Sequence, residues 1–146
     1  MQPQPTLCRH PTEGATGLLA AGLIFGAWGA SIVALLGLGL PPLLAPLGVA
    51  IMAFGYTGLF ITAHDAMHGS VAPRHPRLNR AIGAAAVWLY ASFSYDSLQQ
   101  AHAAHHQTPA EPSSDPDFHD GDHPSALAWY LGFMGRYATL RQLVSQ

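Results

Sequence analysis

From Gly14 to Ala63 the chain runs for fifty residues, 14 to 63, without one formally charged side chain. A membrane-spanning helix needs about 20 mainly apolar residues to cross roughly 30 Å of hydrocarbon. Residues 17 to 40 supply one such span and residues 43 to 63 a second. Pro41, Pro42 and Pro46 interrupt the run between them, and proline removes a backbone donor and ends or kinks a helix. The pattern predicts a transmembrane helical hairpin with a very short turn. Gly22 and Gly26 form a GxxxG pattern in the first span, and Gly55 and Gly58 thin the second; small residues let helices approach closely in lipid, although glycine is also simply common there. The first apolar run, about 24 residues, is too long for the 7 to 15 of a signal-peptide core.

Beyond residue 63 the pattern changes. The stretch AIGAAAVWLYASFSY, 81 to 95, is apolar and aromatic, but a helix of that length reaches only about 22 Å. An interfacial or re-entrant helix over about 81 to 98 is expected, with Trp88, Tyr90 and Tyr95 near the headgroups. Residues 107 to 124 are rich in Pro, Asp, Ser and Gly and read as a loop. Residues 126 to 144 mix apolar and aromatic positions with Arg136 and Arg141, which suits a helix lying at the membrane surface. The fold class expected is therefore an all-α membrane protein, a single domain over 1–146 made of a transmembrane hairpin plus interfacial helices. Arg74, Arg77 and Arg80 follow the second span, while the turn at 41 to 46 has no arginine. By the positive-inside rule, residues 64 onward and both termini face the cytoplasm.

Composition sharpens this picture. Hydrophobic residues make up 49% of the 146 and charged residues 10%, against about a quarter charged in average soluble chains. All six cations are arginine, and a net charge of -2 gives no electrostatic case for a nucleic-acid partner. A single cysteine, Cys8, excludes an internal disulfide. Histidine is the outlier: nine copies, five of them in HDAMH at 64–68 and HAAHH at 102–106. Residues three and four apart share a helix face, so His64 and His68 point one way, as do His102, His105 and His106. Neutral imidazole binds iron, zinc, copper and nickel, and ionisable groups at a membrane boundary default to function. Asp65 is placed to hold a ligand histidine through its other ring nitrogen. His10 and His75 read as solvent-facing. The zinc-protease motif HExxH differs, because Asp65 stands where its general-base glutamate would. Soluble di-iron bundles rely on carboxylates with few histidines. A transporter would want ionisable groups inside the spans, and residues 17 to 63 hold none.

HxxxH at 64 to 68 and HxxHH at 102 to 106, behind a hydrophobic hairpin, resemble the first two histidine boxes of the membrane fatty acid desaturase and hydroxylase superfamily. AHDAMHGSVAP at 63–73, RLNRAIG at 77–83, AHAAHHQTP at 101–109 and DPDFH at 115–119 are similar to its bacterial β-carotene ketolase branch. The resemblance implies a non-haem di-iron centre at the cytoplasmic face of the inner membrane. It implies dioxygen as co-substrate, electrons from a ferredoxin-like electron-transfer protein, and β-carotene as a substrate met in the lipid bilayer. C4 of the β-ionone ring is oxidised twice and the geminal diol loses water to leave a ketone. Carried onto this chain, the resemblance makes His64, His68, His102, His105, His106 and His119 iron ligands, and Asp65, Asp115 and Asp117 catalytic or supporting groups.

The superfamily has a third HxxHH box after further spans, and only His119 and His123 follow the second box here. The expectation is a C-terminally truncated chain, inactive alone. An acyl-chain desaturase or a carotenoid hydroxylase of the same superfamily, and a non-catalytic membrane metal-binding protein, are the alternative readings.

Overall fold

A computed structural model describes residues 13–38, 41–118 and 125–137. Among these residues the chain forms five α-helices and one 3-10 turn, with no strand: α1 (Glu13–Gly37), the turn Pro42–Leu44, α2 (Ala45–Met67), α3 (Pro76–Ala91), α4 (Tyr95–Gln107) and α5 (Ala126–Tyr137). The chain divides into two units, Met1–Gly83 and Ala84–Gln146.

The first unit is built on the predicted hairpin. Gly14–Gly37 and Pro42–Met67 are each long and apolar enough to cross a membrane. The core helix of a soluble protein is mostly buried, whereas only 6% and 11% of these two apolar windows are. Leu36, Leu43 and Phe54 are more than four-fifths exposed, at 83%, 88% and 82%. Such a surface is tolerable against lipid and not against water. Prolines open the 3-10 turn and the first turn of α2, where the missing N–H would have had no intrahelical acceptor. Inside the spans, Ser31, Thr57 and Thr62 return their hydroxyl protons to the carbonyls of Ala27, Ala53 and Gly58 at 2.7, 2.9 and 2.9 Å, so these three hydroxyls meet the hydrocarbon already paired.

The two spans run antiparallel and meet through glycines. A Cβ at Gly58 would lie 2.9 Å from Cγ2 of Ile24, and one at Gly55 would lie 3.2 Å from Cδ1 of Trp28. The Trp28 ring meets Tyr56 edge-on at 6.0 Å. A Cβ at Gly22 or Gly26 would have nothing within 4 Å. The GxxxG pattern is therefore not the seam of this hairpin, which uses the glycines of α2. Nearer the histidine end of α2 the core is made of Leu59, Thr62, Ala63 and Ala66, with Ala21 of α1 also buried.

In the second unit, Ala86, Val87 and Tyr95 are buried. The stretch expected to form one helix over 81–98 is instead the end of α3 and the start of α4. α3 begins earlier, with Pro76 at its first position. The break falls at Ser92, whose φ of 53° is left-handed, and Ser94 then caps α4 by accepting from the N–H of Ser97 at 3.4 Å. Asp96 adds negative charge to the first turn of α4, where the helix dipole favours it. α5 leaves Leu127, Tyr130 and Leu131 half exposed or more. Its described part ends at Tyr137, and the rest of the expected 126–144 helix lies outside the described residues.

Candidate metal centre

The peptide HDAMHGS ends α2. His64 lies in the last turn and His68 is the C-cap. Gly69 follows at φ 73°, the left-handed conformation that glycine adopts without cost. The N–H of Gly69 donates to Ala66 O and that of Ser70 to Asp65 O, both at 3.0 Å; this is the Schellman closure of a helix end. The Ser70 hydroxyl donates to the same Asp65 carbonyl at 2.8 Å. The closure keeps His68 in helical register with His64, and their ring centroids stand 4.7 Å apart. Asp65 approaches His64 Nδ1 only to 3.4 Å, with both side chains about half exposed at 42% and 51%. That contact is long and open to solvent, so Asp65 holds His64 weakly.

α4 carries the second group. His102 and His106 stack along one face, with ring centroids 4.5 Å apart and Nε2 atoms 3.1 Å apart. One ring donates to the other at that distance. The same spacing suits two imidazoles bound side by side to one ion with bonds of about 2.0–2.1 Å, so this donor pair fits a divalent metal. His105 points elsewhere, toward the loop. Its Nδ1 lies 2.9 Å from Asp115 Oδ1.

Asp115 is the best-held polar group here. Its side chain is 2% exposed. Besides His105, Oδ1 accepts from the N–H of Asp117 at 2.9 Å and Oδ2 from the N–H of Ala110 at 2.8 Å. Ala110 itself sits at φ 62°, a strained value for a residue with a Cβ, and the carboxylate helps hold it there. The hydrogen bond that His105 donates to Asp115 is the largest effect on its pKa; burial opposes it, the nearby charges of Asp115 and Asp117 add to it, and the net result lies above the ordinary histidine value. Burial pushes the Asp115 carboxyl up, but the bonds from His105, Asp117 and Ala110 outweigh it and hold the carboxyl below its ordinary value. His105 therefore contributes stability below its unfolded pKa, and that contribution is lost as pH rises through the raised folded value. Asp115 contributes above its unfolded pKa, and loses this as pH falls through the lowered folded value. The pair works between those limits. The ligand atoms of His105, Asp115 and Asp117 lie within 4.8 Å of one another. Three donors engage Asp115, and His105 Nδ1 is one of them.

Of the expected site residues, His64 and His68 pair on α2, His102 and His106 pair on α4, and His105 joins Asp115 and Asp117. His119 lies outside the described residues. Asn79 was not among the expected residues, although the structure ties it to the turn after His68.

Apolar spans with bare outward faces and imidazole pairs on helix ends define an all-α membrane protein with a histidine cluster compatible with a metal site. The sequence model of the fatty acid desaturase family matches residues 39–145, and the chain belongs to that family. It is 50% identical over 91 residues to a β-carotene 4-ketolase of Protosiphon botryoides, covering 62% of this chain and 23% of that protein. It is 50% identical over 93 residues to a zeaxanthin 4-ketolase of Chlamydomonas reinhardtii, covering 64% and 21%. It is 42% identical over 131 residues to a β-carotene ketolase of a Paracoccus species, covering 88% and 52%. A match over 88% of this chain cannot omit residues 64 to 106, so it includes both histidine groups. The chain spans about a fifth to about half of the length of these curated relatives. No solved structure matches.

Proposed function

We propose that this chain carries histidine ligands of a β-carotene ketolase-type oxygenase, which introduces a keto group at C4 of the β-ionone ring. The observation that carries this reading is the Paracoccus match, which runs through both histidine groups. The proposed ligands are His64, His68, His102, His105, His106 and His119, serving one non-haem di-iron centre within a single desaturase-like domain. When bound, the irons supply dioxygen activation, with electrons from a ferredoxin-like donor. The chain's own residues do the rest. Asp115 keeps the His105 proton on Nδ1, so that Nε2 presents its lone pair. Asp117 adds negative charge beside that ring. Asp65 gives His64 a weaker version of the same support. The bare apolar faces of α1 and α2 keep the chain in the bilayer, where a carotenoid also dissolves.

A chimera tests the reading. The stretch of the Paracoccus relative that this chain matches is replaced by this chain's own residues, and the product is expressed in cells accumulating β-carotene. Chromatography of the pigments should show a 4-ketone, lost in His68→Ala and in His105→Ala. A folded chimera yielding only hydroxylated carotenoid would favour the hydroxylase alternative, and one yielding neither product would sink the oxygenase reading.

We further propose an inner-membrane location with both histidine groups and both termini cytoplasmic, because Arg74, Arg77 and Arg80 follow the second span. In a Cys8→Ser background, Leu43→Cys should react with an impermeant thiol reagent in intact cells. Ala104→Cys should react only after permeabilisation. Labelling of both from outside would sink the two-span model, and labelling of Ala104→Cys alone would reverse the topology.

A further inference from the structure

Asn79 lies in the first turns of α3 and is 6% exposed. Asparagine is a poor helix former, and a buried carboxamide costs free energy unless its hydrogen bonds are met. Here both ends are met by backbone. Nδ2 donates to the carbonyl of Ala66 at 2.7 Å, and Oδ1 accepts from the N–H of Ala72 at 3.1 Å. The orientation of the amide is forced, since a carbonyl can only accept and an N–H only donate. Ala66, Val71 and Ala72 are 1%, 3% and 1% exposed, so water has no access to replace either bond.

Those two backbone groups bracket His68. Ala66 lies between the two histidines of α2, and Ala72 closes the turn that follows. Helix ends fray because their last carbonyls lack intrahelical partners. The Ala66 carbonyl has two donors instead, Gly69 N–H and Asn79 Nδ2. Fixing that carbonyl fixes the pitch of the turn from which both imidazoles project.

We propose that Asn79 is a positioning residue for the His64–His68 pair, clamping the last turn of α2 to α3 so that both rings keep the separation a shared metal ion needs. The inference rests on the metal reading above and adds a residue that touches neither metal nor substrate. A residue of this kind typically alters metal affinity by about 10- to 100-fold when removed.

The test uses the full chain in detergent, with Co(II) as the probe, and compares wild type, His68→Ala, Asn79→Asp and Asn79→Ser. Asn79→Asp keeps the acceptor for Ala72 and places an oxygen against the Ala66 carbonyl. Asn79→Ser is the milder change and keeps the question open to decision if the first variant fails to fold. Two readouts are taken: amide hydrogen exchange across residues 64–73, and Co(II) affinity with its visible absorption bands. The expected result is exchange at least tenfold faster around Ala72, Co(II) bound about 10- to 100-fold more weakly, altered bands, and unchanged exchange in α1. Exchange at the turn unchanged in the Asn79 variants would overturn the clamp. Faster exchange with wild-type Co(II) affinity and bands would reduce Asn79 to a fold stabiliser and overturn the positioning role. Failure of the metal reading has its own signature: wild type takes up no Co(II), or His68→Ala takes it up equally well.

Discussion

Replacing Asp115 by asparagine is expected to weaken divalent-metal binding by about 10- to 100-fold without unfolding α4. The carboxylate accepts three hydrogen bonds, two on Oδ1 and one on Oδ2. A carboxamide can accept on one side only. If its oxygen faces Ala110, its NH2 group points at His105 and at the N–H of Asp117. The His105 ring then keeps a lone pair on Nδ1 and moves its proton to Nε2, the nitrogen a metal would need; a carboxylate-to-amide change in a catalytic triad acts through the same tautomer switch. If the amide is reversed, His105 is satisfied but two donors collide at Ala110, whose φ of 62° is then left without support. Either way the His105 pKa should fall from its raised value toward the ordinary histidine range, because its first cause is the bond to Asp115. Two-bond proton–nitrogen correlation spectra of the apo protein read the tautomer, and a Co(II) titration reads the affinity. An unchanged tautomer together with wild-type affinity would show that Asp115 only shapes its loop.

The second large effect is expected at Gly17. A Cβ there would sit 2.5 Å from the carbonyl oxygen of Val71, and 3.0 Å from both the carbonyl oxygen of Ser70 and the carbonyl carbon of Val71. These are backbone atoms of the turn that follows His68, and no rotamer change moves them aside. Gly17→Ala should therefore destabilise the first unit by roughly 1–3 kcal/mol, the usual range for overpacking, and Gly17→Leu by more. Gly22→Ala is the internal control, because its Cβ meets nothing within 4 Å. In a helix interior, that change should be neutral or stabilise by up to about 1 kcal/mol. Unfolding midpoints in detergent should thus fall for Gly17→Ala and hold or rise for Gly22→Ala. A common shift would mean that α1 does not press on the turn.

The hairpin was legible because its signal is long and uninterrupted: fifty uncharged residues, 14 to 63, broken only by prolines that also mark the turn. The histidine spacing was legible because a helix converts three- and four-residue steps into one face. What escaped depends on contacts rather than on periodicity. GxxxG marks Gly22 and Gly26 as small, yet pattern alone does not say which face of α1 meets α2, and the seam fell on Gly55 and Gly58. The break inside 81–98 rests on a serine in a left-handed conformation, which an apolar aromatic stretch conceals. Two helix-start signals were available there, Pro76 and Ser94. Asp115 was reached by resemblance alone; its bond to His105 spans ten residues of irregular loop, and no periodic rule connects them. Asn79 fell within the resemblance text RLNRAIG, but nothing in that text told that it alone among its immediate neighbours would be buried.

The Schellman closure at Gly69 fixes how far α2 projects. The apolar run of 43 to 63 is about 31 Å of helix at 1.5 Å per residue, close to the hydrocarbon thickness of a bilayer. The helix then continues for about one more turn before Gly69 stops it. In the membrane orientation proposed above, His64 and His68 stand at the seam of two phases, level with the headgroups. An apolar substrate of the kind proposed above would arrive there by lateral diffusion within a leaflet, enriched by partitioning and never crossing water. An ion or a water-soluble protein reaches the same imidazoles from the opposite phase. The search for one partner is two-dimensional and for the other three-dimensional, and the length of a single helix sets where the two meet.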